Sequence, residues 1–267
     1  MNKVVLITGG SSGIGKSIGE FLHQRGFVVY GTSRNPERVL NSVFPLVALD
    51  VRDADSIHAA VAKVIAASGR LDIVINNAGV GITGPLAEIP MEEMKKNFDT
   101  NFFFFIEVMK AVLPQMREQK SGLIINVTSI AGYMGLPYRS IYSASKGALE
   151  LITEALRMEV KSFGIHITNV APGDFATNIA SGRYHAPVIK GSAYEVSYGE
   201  SLRTMDEHVD GGSNPNEMAE AVYKIIQNPN PKIHYKVGVF MQKLSIALKR
   251  ILPDKVYEKM LMNHYKL

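Results

Sequence analysis

Tyr142 and Lys146 are the two residues whose types and spacing most directly suggest catalysis. They stand four residues apart at the start of a predicted long helix, so their side chains share one helix face. A phenol has a reference pKa of about 10, and a nearby ammonium stabilises the phenolate, which would bring Tyr142 toward neutral pH as a proton donor. Carbonyl reduction needs such a donor. The alternative is a chance spacing on a solvated helix, which the pair alone does not exclude.

A glycine-rich turn near the amino terminus could hold a dinucleotide. Residues 3–8 form an apolar run that predicts the first strand, and Gly9, Gly13 and Gly15 follow before a helical pattern begins. Glycines let the backbone approach a pyrophosphate, whose charge is met by amides and by the positive end of the helix dipole. The spacing differs from the usual G-x-G-x-x-G, so the position after a strand is the stronger argument.

The end of the second predicted strand, residues 27–33, indicates which dinucleotide binds. An NAD site is expected to have an acidic residue about 20 residues beyond the glycine turn. Ser33 and Arg34 stand there instead. A guanidinium can bind a 2′-phosphate, so the sequence favours NADP(H) over NAD(H); the alternative is a solvated arginine in a loop.

Other predicted strands also end in small or polar residues, where doubly wound folds bind ligands. The strand at 71–75 precedes Asn-Asn-Ala-Gly at 76–79, and the strand at 123–128 precedes Ser129. Taken alone, Ser129 is better explained as a turn-former. Asn101 lies in an apolar helical stretch, so its amide must be bonded, as a structural anchor or as part of a polar relay.

Composition restricts the class of protein. The chain has 267 residues, 46% hydrophobic and 20% charged, as expected for one globular α/β domain. It has no cysteine, which excludes thiolate chemistry, and its net charge of +4 is spread along the chain, which argues against nucleic acid as a partner. There is no signal-peptide core and no apolar run of about 20 residues, so we expect a cytoplasmic protein.

Two segments interrupt the alternation of strands and helices. Residues 178–214 are polar and glycine-rich, and we predict an irregular substrate lid. Residues 1–239 would form the catalytic, dinucleotide-binding domain, and 240–267 a helical extension packed on it. One helix face of the extension is apolar, with basic residues at its polar positions, and comprises Phe240, Leu244, Ala247, Leu248 and Ile251. We expect this face to pack on the domain; a membrane surface is the alternative.

Together these motifs make the chain resemble the short-chain dehydrogenase/reductase superfamily over residues 3–239. The family motifs occur in order as Thr8 to Gly15 (T-G-x-x-x-G-I-G), Asn76 to Gly79, Asn126 to Ser129, Tyr142 to Lys146 and Pro172-Gly173. Five ordered motifs are far more specific than one. The resemblance implies a Rossmann-like, doubly wound α/β fold with about seven parallel strands and helices on both faces.

The resemblance also implies roles for individual residues. The active-site tetrad would be Asn101, Ser129, Tyr142 and Lys146. Ser129 and Tyr142 would hold the carbonyl oxygen, Lys146 would bind the nicotinamide ribose and lower the tyrosine pKa, and Asn101 would anchor a water chain. The cofactor would contact Gly9, Ser11, Ser12, Gly13, Ile14, Gly15, Ser33, Arg34, Asp50, Val51, Asn77, Ala78, Gly79, Tyr142, Lys146, Pro172, Gly173 and Thr177.

The sequence departs from the family pattern in two places. Ser12 replaces the basic residue of many NADP-dependent members, so the NADP(H) prediction depends on Arg34. Phe104 and Phe105 replace the smaller residues expected after the family asparagine, which would change helix packing or the substrate side.

We therefore predict a metal-free, NADP(H)-dependent oxidoreductase that interconverts a ketone and a secondary alcohol. A looser similarity to hydroxysteroid and retinol dehydrogenase-like members suggests a hydrophobic substrate in a pocket of Tyr133, Met134, Leu136, Phe175 and Tyr184. The alternatives are a dinucleotide-binding redox sensor without turnover and a membrane-peripheral lipid or sterol dehydrogenase. Family habit implies a homodimer or homotetramer, and membrane contact is not expected.

Overall fold

The computed structural model describes residues 2–175, 182–210 and 212–267, except for the side chains of 206–210. The strands of these residues are β1 (Val4–Ile7), β2 (Val28–Ser33), β3 (Leu46–Ala48), β4 (Ile73–Asn76), β5 (Ile82–Thr83), β6 (Gly122–Val127), β7 (Ile165–Pro172), β8 (Tyr184–His185) and β9 (His234–Val237). The α-helices are α1 (Gly13–His23), α2 (Ala54–Ser68), α3 (Met91–Phe98), α4 (Phe104–Gln119), α5 (Ser140–Glu159), α6 (Glu195–Asp210), α7 (Pro215–Gln227), α8 (Phe240–Ile251) and α9 (Asp254–Tyr265).

A seven-stranded parallel sheet with the order β3-β2-β1-β4-β6-β7-β9 forms the centre of the molecule. Every residue of β1, β4 and β6 is buried, as expected where helices cover both faces of a parallel sheet. One face packs against α2, α4 and α5, and the other against α1 and α7. The predicted doubly wound α/β fold is confirmed.

Most of the described part of residues 178–214 has regular secondary structure, so the prediction of an irregular segment is wrong there. β8 pairs with β5 in a second, two-stranded sheet, and α6 follows. Tyr198 anchors α6, because it is buried and its hydroxyl donates to the carbonyl of Ala186 at 2.9 Å. Gly199 inside the helix and the scarcity of apolar residues conceal this helix in the sequence.

The carboxyl-terminal helices pack against the turn that follows β6. Ile246 of α8 and Tyr257 of α9 are buried in one apolar cluster with Ile130, Met134 and Ala171. The predicted packing face of α8 is only partly buried, since Leu248 packs against this cluster and Leu244 is half-buried, whereas Phe240, Ala247 and Ile251 are exposed. No helix of the described residues is long and apolar enough to cross a membrane.

The four consecutive phenylalanines divide between surface and core. Residues Asp99–Phe103 form a π-helical turn between α3 and α4 that contains Asn101. Phe104 and Phe105 then point into the core beneath the sheet, whereas 54% of Phe103 is exposed. A π-helical turn inserts an extra residue and so re-aims the side chains around it. Phe104 lies in the core and in the wall of neither cavity, so of its two predicted effects the structure favours the one on helix packing.

We expect Phe104→Ala to lower the free energy of unfolding by about 3–5 kcal/mol, because it leaves a cavity in a close-packed core. Phe103→Ala, the matched change at an exposed neighbour, should alter it by no more than about 0.5 kcal/mol. Denaturant unfolding of both variants measures the difference. Equal losses would contradict the assignment of Phe104 to the core.

Candidate active site

The glycine turn places backbone amides at the carboxyl end of β1. Gly9 and Gly13 have φ angles of +66° and +52°, a left-handed conformation that favours glycine. A Cβ atom at Gly15 would collide with the carbonyl oxygen of Gly9. Ser12 precedes α1 without a side-chain capping bond, so the first amides of the helix lack that partner. A phosphate group fits such amides at the positive end of a helix.

A cleft of about 630 Å³ runs from this turn across the carboxyl ends of the strands. Its volume lies in the range of small-molecule sites. Its walls contain most of the predicted cofactor-binding residues, namely Gly9, Ser11, Ser12, Gly13, Ile14, Ser33, Arg34, Val51, Asn77, Ala78, Gly79, Tyr142, Lys146 and Pro172. Gly15 and Asp50 are not among the wall residues, Gly173 lines a neighbouring cavity, and Thr177 lies outside the described residues.

Asp50 bonds to Arg52, which itself lines the cleft. The Asp50 carboxylate accepts hydrogen bonds from Nε and Nη2 of Arg52 at 3.4 and 3.2 Å and from its backbone amide at 3.0 Å. These bonds hold the pKa of Asp50 below its usual value. Asp50 and Val51 were both predicted to contact the cofactor, and of the two Val51 is the one in the cleft wall.

Asn101 is buried and holds the loop that follows β4. Its Oδ1 accepts from the amide of Val80 at 2.9 Å, and its Nδ2 donates to the carbonyl of the same residue at 2.8 Å. A Cβ atom at Gly79 would lie 3.1 Å from Asn101 Oδ1 and 3.4 Å from Lys146 Nζ. The side-chain amide of Asn101 and the ammonium of Lys146 therefore both lie beside Gly79, a residue of the cleft wall. The two bonds to Val80 are those expected of a structural anchor.

Lys146 is a buried ammonium on α5. Its Nζ donates to the carbonyl of Val127 at 3.1 Å and lies 4.9 Å from the centre of the Phe105 ring, within cation–π range. Burial lowers the pKa of Lys146 from 10.5 to about 8, and the carboxylate of Glu150, one turn later, opposes the shift. Lys146 is thus mostly positive at neutral pH.

Tyr142 lines both the cleft and a second cavity of about 80 Å³, in whose wall Ser129 also lies. Burial raises the pKa of Tyr142 and outweighs the lowering by the Ser129 hydrogen bond and by the charge of Arg139. The predicted shift of this pKa toward neutrality is therefore wrong in direction. The ammonium of Lys146 is bonded to Val127, and loss of hydration dominates. The phenol stays protonated at neutral pH and remains a proton donor.

The smaller cavity is more polar than the predicted substrate pocket. Arg139, Asp174 and Arg183 lie in its wall together with Phe175, while Tyr184 lines the larger cleft. Charges of both signs therefore stand beside the phenol, and the positive ones lower its pKa.

Three residues predicted for the substrate pocket line neither cavity. The Tyr133 hydroxyl donates to Glu150 Oε2 at 2.9 Å, and Met134 and Leu136 pack against α8 and α9. A buried carboxylate such as Glu150 requires hydrogen-bond donors, which explains why Tyr133 turns toward it.

A family model described as "short chain dehydrogenase" matches residues 3–187, a range that includes the glycine turn, Ser129 and the Tyr142–Lys146 pair. The chain belongs to the short-chain dehydrogenase family. It is accordingly an oxidoreductase, as the motifs predicted.

Relatives of this short-chain dehydrogenase match it along nearly its whole length. A 3-ketodihydrosphingosine reductase of Bacteroides thetaiotaomicron is 40% identical over 99% of this chain and 98% of its own. The uncharacterized oxidoreductase YusZ of Bacillus subtilis is 33% identical over 97% of each chain. A solved short-chain dehydrogenase from Streptomyces avermitilis has a TM-score of 0.84 and 30% identity, covering 100% of this chain and 96% of that one. ElxO with NADP bound has a TM-score of 0.73 and 27% identity, covering 89% and 97%.

Six charged residues in the walls of the two cavities were not predicted from the sequence, namely Arg52, Glu93, Lys96, Arg139, Asp174 and Arg183. Two had a positional signal, since Arg139 comes one helical turn before Tyr142 and Asp174 directly follows the Pro-Gly motif. Arg52 stands two residues after Asp50, a predicted cofactor-binding residue, and this proximity was its only signal. Arg183 had no such signal, because it comes from the segment interpreted as an irregular lid.

Proposed function

We propose that this short-chain dehydrogenase is an NADPH-dependent reductase of long-chain ketones of the 3-ketodihydrosphingosine type. The observation that carries the proposal is that Tyr142 stands where two cavities meet. The larger has the size and the glycine turn for a dinucleotide, and the smaller holds Ser129 and charged side chains. The 40% identity to a 3-ketodihydrosphingosine reductase over almost the full length of both chains supports the substrate class.

A bound nicotinamide dinucleotide would supply the hydride. The chain supplies the proton and stabilises the charge that develops. Tyr142 is protonated because burial raises its pKa, and it donates to the carbonyl oxygen as that oxygen becomes negative. Ser129 offers a second hydrogen bond to the same oxygen. Lys146, one helical turn away, then stabilises the phenolate left on Tyr142.

Asp174 is the residue that suits the polar end of such a substrate. A sphingoid ketone carries an ammonium group on the carbon next to the carbonyl, and a carboxylate in the same cavity as Tyr142 would pair with it. Gln242 of α8 fixes this carboxylate, since its Nε2 donates to Asp174 Oδ2 at 2.8 Å.

Asp174→Asn should raise KM for 3-ketodihydrosphingosine about tenfold, because it removes the charge and keeps the shape. A ketone of equal length without the amine should be affected by less than about twofold, since no ion pair is lost. Steady-state kinetics on both substrates measures the split. An equal change for the two ketones would show that Asp174 does not bind the ammonium.

Arg34 carries the preference for NADPH. It lines the cleft next to Ser33 and forms no ion pair within the described part of the chain, whereas the guanidinium of Arg52 is held by Asp50. A free guanidinium at the ribose end suits a 2′-phosphate.

Arg34→Asp should lower the ratio of kcat/KM for NADPH over NADH at least about tenfold, because a carboxylate repels the phosphate that the guanidinium binds. Arg38→Asp is the matched control, since Arg38 is an exposed arginine four residues later that does not line the cleft. A ratio that stays constant in the Arg34 variant would place phosphate recognition elsewhere.

NADPH oxidation with 3-ketodihydrosphingosine in detergent micelles, followed by identification of the alcohol, tests the whole proposal. We expect turnover that requires both compounds. Turnover restricted to short ketones would overturn the substrate class. Dinucleotide binding without turnover of any ketone would overturn the enzyme assignment and support the redox sensor.

A further inference from the structure

Most of the apolar stripe of α8 is exposed, although Leu244 is half-buried and Leu248 packs against the cluster beneath α9. Phe240 is 70% and Ile251 is 78% exposed, and Ala247 between them is exposed as well. The opposite side of the helix holds Ile246, which is buried in the cluster beneath α9. Met241, 67% exposed, widens the stripe at the start of the helix. An amphipathic helix usually buries its apolar side, and α8 leaves most of that side uncovered.

The charges of α8 are all positive. The helix contains Lys243, Lys249 and Arg250 and has no acidic residue. Lys249 pairs with Asp254, whereas Lys243 and Arg250 flank the stripe and have no ion pair among the described residues. An exposed apolar stripe with a basic border matches the interface of an anionic lipid layer, where apolar side chains enter the headgroup region and cations meet lipid phosphates.

We propose that the Phe240–Ile251 face of α8 docks on the surface of an anionic lipid bilayer. A second copy of the chain is the less suitable occupant. A two-fold contact through this face would bring Lys243 and Arg250 of the two copies together without acidic partners on either helix. A bilayer containing anionic lipid supplies the missing negative charge.

The side of α8 opposite the docking face contacts the wall of the smaller cavity. Gln242 lies between Met241 and Lys243 of the docking helix, and its side chain bonds to Asp174 in the wall of the smaller cavity. A bilayer seated on α8 would therefore be separated from that cavity by the width of one helix, about 10–12 Å. The docking itself does not depend on the proposed substrate.

Co-sedimentation of the full chain with vesicles tests the proposal. We expect binding to phosphatidylcholine vesicles that contain phosphatidylglycerol, weaker binding to phosphatidylcholine alone, and loss of binding as salt is raised. The double variant Phe240→Ser, Ile251→Ser should bind at least about tenfold more weakly and keep its activity in detergent micelles. The matched control Leu40→Ser, Leu86→Ser changes two exposed leucines outside α8 and should bind as the original chain does.

Three outcomes would overturn the proposal. The first is no binding of the original chain to the anionic vesicles, and the second is equal binding by the α8 variant with its fold intact by circular dichroism. The third is self-association in light scattering that disappears in the α8 variant, which would make a second copy the occupant. Lys243→Gln, Arg250→Gln gives a separate test of the charge, because it should weaken binding to the anionic vesicles and leave the apolar stripe in place.

Discussion

Tyr142→Phe should lower kcat for ketone reduction about 10³-fold and leave the Kd for NADPH nearly unchanged. The substitution removes a single oxygen atom, the one that would donate the proton, and keeps the ring that lines both cavities. Loss of a general acid lowers the chemical step by about 10²–10⁴-fold. Single-turnover kinetics and a cofactor titration separate the two quantities.

Tyr138→Phe is the matched control for this experiment. Tyr138 is another phenol of the same apolar cluster, its hydroxyl bonds to Ser197 at 2.8 Å, and it lines neither cavity. The Tyr138→Phe variant should keep most of the kcat of the original chain. If the Tyr142 variant kept its turnover too, Tyr142 would not be the proton donor.

Lys146→Met should lower kcat about 10²-fold without lowering the melting temperature at neutral pH. In the proposed mechanism the ammonium would stabilise the phenolate that forms on Tyr142, whereas in the resting chain its burial is unfavourable, as its lowered pKa indicates. Methionine keeps the length and apolar character of the lysine stem. Lys63→Met, at an exposed position of α2, should change neither turnover nor melting temperature.

The pH dependence of stability gives a second result for the same variant. Since the pKa of Lys146 is about 8 in the folded chain and 10.5 for a free lysine, the unfolded chain binds more protons between these values. The original chain should therefore gain stability relative to Lys146→Met as pH rises from about 8 toward 10.5. A constant difference across this window would mean that Lys146 is not desolvated. In the kinetics, kcat of the original chain should fall above about pH 8, where the ammonium is lost.

The sequence predicted the sheet well because its strands are short apolar runs that end in glycine, asparagine or serine. These runs must be buried on both sides, which leaves few alternative arrangements. The same residue types fix the ends of the strands, so Ser129 and the Pro-Gly motif were placed correctly at one edge. The expectation that Tyr142 and Lys146 share one helix face followed from helix geometry alone, and both residues lie on α5 in the wall of the cleft.

What the sequence could not predict depends on contacts between distant segments. The direction of Tyr133 is set by Glu150, whose burial appears only in the folded chain. α6 depends on tertiary burial of Tyr198 rather than on its own helix propensity. The apolar pattern of α8 predicted the helix but only part of its buried surface, because Ile246 and Gln242 on the other side of the helix also contact the domain.

The proposed function requires that the two cavities bring a reduced nicotinamide and a ketone together at Tyr142. The most direct measurement uses NADPH deuterated at the transferring position of the nicotinamide, with mass spectrometry of the alcohol formed from 3-ketodihydrosphingosine. We predict one deuterium per product molecule, bonded to the former carbonyl carbon. An alcohol without deuterium, or no alcohol at all while NADPH binds, would contradict the account.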